Sequence, residues 1–216
     1  MMTKFIGVVQ LKGGAGRSTV ATTLAACLSK SGRTLLIDAD MPQGTSASWY
    51  ALREDKGMTG HLSLATATSH KEMLQVIKDH AAEYEYIVFD TPPRIAEITD
   101  AVLMLVDLVL VPIATSSADI WATQDLLESI SQVSAQRDGL TARVLWNKYR
   151  GYTKSAQTMS ESVKKELPIK AMKTTLGMRV SYADALGEGL ACDEWKDKAA
   201  KAEVEQLTKE VIRLLR

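Results

Sequence analysis

With 216 residues, 46% of them hydrophobic and 24% charged, the chain suits one soluble globular domain with a real core. Acidic and basic side chains balance at 26 each, and no apolar stretch reaches membrane-spanning length because Asp107 and Pro112 cut the longest runs. Cys27 and Cys192 lack metal-ligand spacing and point to a reducing compartment, with Cys27, inside "TLAACL", reading as a buried inert thiol. The N-terminal apolar run is too short for a signal peptide and meets Lys12 and two glycines, so a cytoplasmic protein is expected.

Short aliphatic runs alternate with amphipathic segments along the chain. "KFIGVVQL", "TLLIDA", "YEYIVFD", "DLVLVPI" and "ARVLWN" read as strands, and their nearly continuous apolarity suits a sheet covered on both faces. Residues 17–31, 71–83, 96–106, 118–137 and 154–166 carry helical spacing, and Val204, Leu207, Val211, Leu214 and Leu215 form one stripe on a last helix. This order predicts an α/β fold, a doubly wound, mostly parallel sheet flanked by helices, in a single domain over 1–216.

The first strand runs into "KGGAGRST", residues 12–19, where Gly13, Gly14 and Gly16 let the backbone curl so that several N–H groups converge on one anion. The helix starting near Arg17 adds its positive dipole end, and Ser18 is placed to offer a hydroxyl to Mg²⁺. The ordinary phosphate-loop pattern ends in Gly-Lys-Ser/Thr, whereas here Arg17 follows Gly16 and a lysine stands earlier, at Lys12. A plain Gly-rich turn is the alternative.

The stretch resembles the deviant Walker A motif of the ParA/MinD family of ATPases, Lys-Gly-Gly-x-Gly-Lys-Ser/Thr-Thr. That resemblance implies a P-loop NTPase fold of the deviant type. It makes Lys12 the signature lysine that reaches across a dimer to the partner's nucleotide, and puts Gly13, Gly14, Ala15, Gly16, Arg17, Ser18 and Thr19 around the phosphates. Arg17 stands where the family has its other lysine. Its planar fork is not a conservative replacement, so Arg17 is expected to hold phosphates while lowering turnover more than affinity, and Arg17→Lys to raise the rate.

Three later stretches extend the resemblance over nearly the whole chain. "LLIDADMPQGTSASW" is similar to the family's Asp-x-Asp-Pro-Gln switch with one extra residue, Met41; it implies Asp38 near the metal and Asp40 as the carboxylate that orients or activates the attacking water, against the alternative of a helix cap. "YIVFDTPPRIAE" looks like the Walker B equivalent and implies Asp90 on Mg²⁺ through water, against a Pro-stiffened turn with an exposed acid. Asn147, ending "ARVLWN", matches the adenine-contacting asparagine or is a turn residue.

Charge is uneven under the neutral total. Residues 81–130 hold nine acids and one base, and residues 141–180 nine bases and two acids. Such a segment is either a nucleic-acid surface or a set of solvated helix faces. The resemblance to the small ParA type, without an N-terminal helix-turn-helix extension, implies the former. Arg179 in "GMRVSYADA" matches a basic family position that contributes to DNA binding, and Lys148, Arg150, Lys164, Lys165 and Lys173 are further candidates.

The implied protein binds ATP and Mg²⁺, forms a homodimer with ATP and binds DNA non-specifically. It hydrolyses ATP slowly until a ParB-like or other cargo adaptor stimulates it, and it is cytoplasmic and nucleoid-associated. Its cargo would be a plasmid, a chromosome or a protein assembly such as a carboxysome. A MinD-like membrane ATPase is the alternative, but residues 193–216 carry six bases and six acids, so this last helix is expected to pack on its own domain and no membrane is expected. A nucleotide switch with little hydrolysis, because of Arg17, is the other.

Overall fold

A computed structural model of the chain describes residues 2–93, 96–114, 116–121, 123–151 and 169–216. Its seven described strands are β1 (Lys4–Val8), β2 (Thr34–Asp38), β3 (Leu62–Thr66), β4 (Tyr86–Asp90), β5 (Leu108–Ile113), β6 (Thr141–Tyr149) and β7 (Ala171–Gly177). They form one sheet in the order β3-β2-β4-β1-β5-β6-β7, and every pairing is parallel. The helices are α1 (Arg17–Leu28), α2 (Thr45–Asp55), α3 (His70–His80), α4 (Ala96–Leu105), α5 (Ser117–Trp121), α6 (Gln124–Gln136), α7 (Val180–Gly187) and α8 (Lys198–Leu214). The doubly wound α/β expectation holds.

Alternation along the strands explains the two covered faces. Leu36, Val88, Leu108 and Leu110 pack with α1 and α8 on one side, while Leu35, Ile37, Ile87, Phe89, Val109 and Val111 pack with residues of α3, α4 and α6 on the other. At Gly7 a Cβ would come within 2.8 Å of Val102, so α4 lies too close to β1 for any side chain there. The stripe on α8 is buried at Val204, Leu207 and Val211, and Asp197 caps the helix by accepting from the amides of Ala199 and Ala200. The last helix is therefore part of the core, as its charge balance implied.

The five strands read from the sequence are the five inner strands. The two that were missed, β3 and β7, are the sheet edges. In β7, Met172, Thr174 and Leu176 are buried while Lys173 is exposed, so the apolar run that marks a doubly covered strand is absent. Two helices were also missed, α2 and α7. The helix expected over 118–137 is α5 and α6, in which the Thr123 hydroxyl donates to the Asp119 carbonyl and accepts from Gln10 Nε2. The helix expected over 154–166 lies outside the described residues, as do Lys164 and Lys165.

Candidate nucleotide site

The carboxyl ends of β1, β2, β4, β6 and β7 converge on a cleft of about 970 Å³. An open parallel sheet binds ligands at such strand ends, and the volume suits a nucleotide. Gly13, Gly14, Gly16, Arg17, Ser18 and Thr19 form its floor, Asp40, Gln43 and Thr45 one flank, and Asn147, Lys148, Arg150, residues 177–180, Tyr182 and Ala183 the other.

The loop after β1 requires glycine where the sequence has it. Gly14 (φ 75°) and Gly16 (φ 90°) are left-handed, and a Cβ on Gly16 would stand 2.3 Å from the Asn147 amide nitrogen. Asn147 donates from Nδ2 to the Ala15 carbonyl at 2.8 Å and accepts the Lys148 amide at 2.9 Å, so it clamps the phosphate loop to β6. Lys148, itself left-handed at φ 53°, donates from Nζ to the Gly14 carbonyl at 2.7 Å.

Asp38 and Asp90 are register partners across β2 and β4, and both are fully buried. They divide the work. Asp38 accepts the Asp40 amide at 3.0 Å and the Ala47 amide at 2.9 Å, so both its oxygens hold the turn into α2, where helix-start amides need acceptors. Burial raises its pKa, and those amides oppose the rise. Asp90 accepts the Ser46 hydroxyl on Oδ2 at 2.7 Å, while its buried Oδ1 has no partner. Burial pushes the Asp90 carboxyl up to about 7, opposed by Ser46 and Ser18. An orphaned carboxylate oxygen beside a serine hydroxyl, at the phosphate end of a cleft, is a donor set that fits Mg²⁺, which takes few carboxylates and keeps its waters. Among the described residues no group of three or more His, Cys, Asp or Glu could hold a metal by itself.

Met41 is absorbed by a turn that closes when Gly44 (φ 57°) donates to the Asp40 carbonyl at 2.9 Å, and Asp40 still lines the cleft. Lys12 does not line it. Its ammonium is held by the Asp119 carboxylate of α5, which also accepts the Ser116 hydroxyl. Burial would raise Asp119, but hydrogen bonds from Lys12 and Ser116 hold it below the usual carboxylate range.

Arg17 departs from the expected phosphate grip. It is 6% exposed, and its Nε donates to the Thr91 carbonyl at 2.8 Å. Its Nη1 donates to the carbonyls of Gln10 at 2.7 Å and Lys12 at 2.8 Å, and Nη2 lies 3.6 Å from Asp40, an ion pair too long for a hydrogen bond.

The described bases of the basic segment do not present one face. Lys148, Arg150 and Arg179 line the cleft, and Lys173 is exposed on edge strand β7. Arg179 donates to Glu203 Oε1 through Nε at 3.1 Å and Nη2 at 2.7 Å. Tyr182 and the Gly177 amide donate to the other oxygen of Glu203, so α8 secures this wall. Residues that sequence reasoning missed are Gln10, Ser46, Thr91, Asp119 and the wall formed by Met178, Val180 and Tyr182. Ser46, Thr91, Gln10 and the wall residues lie inside stretches read for other positions, and Asp119 inside a segment read for helical spacing.

The family model for the ATPase MipZ matches residues 4–180. The chain belongs to the MipZ ATPase family. Within reach of that family, it is 27% identical over 212 residues to the maintenance of carboxysome distribution protein A of Halothiobacillus neapolitanus, covering 96% of this chain and 95% of that one. It is 25% identical over 253 residues to the sporulation initiation inhibitor protein Soj of Bacillus subtilis, covering 97% and 98%. Among solved structures, apo McdA from Cyanothece matches with a TM-score of 0.79 at 19% identity, over 97% of this chain and 99% of that one. MinD from Pyrococcus horikoshii with Mg-ADP matches with a TM-score of 0.77 at 16% identity, over 99% and 97%. The structural likeness is one of fold, and the sequence carries the family. The expected family resemblance and P-loop fold therefore stand.

Proposed function

We propose that this chain is a ParA-type positioning ATPase that closes as a homodimer around two ATP molecules, binds DNA without sequence preference, and releases when a cargo adaptor stimulates hydrolysis. The observation carrying this reading is the end-to-end match to a protein named for carboxysome distribution, so a carboxysome-like assembly is the favoured cargo, with a plasmid or chromosome next. The expected setting is the cytoplasm and the nucleoid.

In this reading the loop amides and the α1 dipole receive the phosphates, with Asn147 at the base side. Ser18 and Asp90 would hold Mg²⁺, with Asp38 behind them, and the ion supplies charge neutralisation at the phosphates. Asp40 orients the attacking water and takes its proton. Lys12, outside its own cleft, serves the partner's nucleotide. Arg179, Lys148, Arg150 and Lys173 supply positive charge for DNA when two copies close and their patches combine. The packed α8 stripe supports a nucleoid rather than a membrane location, and no described helix is long and apolar enough to cross a membrane.

Light scattering with a non-hydrolysable ATP analogue should show a dimer that Lys12→Gln loses. DNA should co-sediment with the ATP-bound protein and liposomes should not, and phosphate release should rise with DNA and adaptor. An ATP-bound monomer, or ATP-dependent sedimentation with liposomes alone, would sink this reading.

A further inference from the structure

We propose that Arg17 is a positioning residue, a strut that ties the phosphate loop to the ends of β1 and β4 and steers Asp40, rather than the loop's phosphate cation. The inference rests on the ATPase reading above, and it assigns this chain's departure from the lysine pattern a role of its own.

Three of the five guanidinium donors are engaged by backbone carbonyls: Gln10 and Lys12 in the connection after β1, and Thr91 beyond β4. The remaining nitrogen, Nη2, faces the Asp40 carboxylate. Asp40 is held from its other side by its amide on Asp38. One buried side chain therefore sets the separation between the loop that receives phosphate and the carboxylate at the cleft's flank. Thr91 adds a second tie between the same segments, since its hydroxyl donates to the Val8 carbonyl at 2.9 Å. A lysine could not replace this fork. Its three hydrogens radiate from one atom, and buried carbonyls lying in different directions would lose their donors.

A phosphate-binding role and a strut role give opposite results for Arg17→Lys, which restores the usual lysine pattern. The strut predicts that the nucleotide-free protein melts at least about 5 °C lower, because carbonyls inside the loop lose charged donors whether or not ATP is present. It also predicts that turnover falls at least about tenfold while the dissociation constant for a fluorescent ATP analogue moves less than about threefold, the signature of a misplaced catalytic group. Should Arg17→Lys fail to fold, Arg17→Ala with added guanidinium takes its place: restored phosphate release with guanidinium and none with ammonium supports the strut. An unchanged melting point without nucleotide, turnover equal to or above the parent, or equal rescue by ammonium overturns it. A parent protein that hydrolyses no ATP would sink the functional reading instead, and the nucleotide-free melting would still decide whether Arg17 braces the loop.

Discussion

On the phosphate side of the cleft, Asp38, Asp90, Ser46 and Arg17 are buried and joined by short hydrogen bonds to the backbone and each other. On the opposite flank, proposed for the base, Met178 and Val180 are 54% and 75% exposed, and the β6–β7 pairing slips register twice between Val144 and Tyr149. Buried polar groups must find partners, so the first wall permits one arrangement and each member depends on the others. The second wall lies at the sheet edge, where water satisfies what the chain does not. Glu203 on α8 secures its outer part by accepting from Arg179, Tyr182 and the Gly177 amide. In the proposed reading the chemistry is therefore housed where geometry is over-determined, and the base where the wall tolerates change.

The sharpest way to break this contrast is Gly16→Ala. A Cβ 2.3 Å from Asn147 in a left-handed position must unseat either the loop or the β6 clamp, so ATP affinity should fall at least about 100-fold in an analogue titration. Retained affinity would mean that the phosphate wall is as forgiving as its opposite. Asp40→Ala should lower phosphate release about 100-fold and leave affinity within about threefold, trapping the ATP-bound dimer. Lost binding instead would place Asp40 on the metal.

Arg179→Glu tests the secured part of the base wall. It would set a carboxylate against Glu203 and loosen the wall, so nucleotide affinity should fall about tenfold together with DNA retention. DNA loss with normal ATP affinity would return Arg179 to a pure DNA role. Val180→Ala, on the exposed part, should cost about threefold or less in the same titration.

A smaller effect concerns how the two walls are joined. Arg53, at the end of α2, makes two hydrogen bonds of 2.7 Å to Glu194, in the segment that follows α7. Burial by itself would raise Glu194, but Arg53 and the Ala191 amide hold it below the ordinary range. The folded state therefore favours the ionised form. The stabilisation is complete above the ordinary carboxylate pKa and is lost as pH falls through the lower folded value. Glu194→Gln should cost roughly 2 kcal/mol near neutral pH, about 4–8 °C in melting, with the gap to the parent closing in acid. A constant gap across pH would show that packing, not the charge, is what Arg53 needs.

How much of this was readable in the chain follows the same division. The inner strands, the glycine loop and the order of Asp38, Asp40, Asp90 and Asn147 could be read because each is local. Continuous apolarity reports burial on both faces, and a left-handed turn over an anion site admits glycine. The edge strands β3 and β7 and helices α2 and α7 could not, because their sequences are compromises between one buried face and one wet one. Ser46 lay inside a quoted stretch, but what it touches, like the pairing of Gln10 with Thr123 and of Asp119 with Lys12, joins residues more than 40 apart in the chain.

The amino-acid sequence by itself determined the class of site: the glycine loop after the first strand, the acids that end the neighbouring strands, and the family the chain resembles. Only the tertiary structure decided what Arg17, Lys12 and the basic segment touch. Arg17 turned to three carbonyls, Lys12 to Asp119, and Lys148, Arg150 and Arg179 to the cleft. The physical reason is reach. A long cationic side chain can take any of several acceptors within its span, and which one lies there depends on strands brought together from distant parts of the chain.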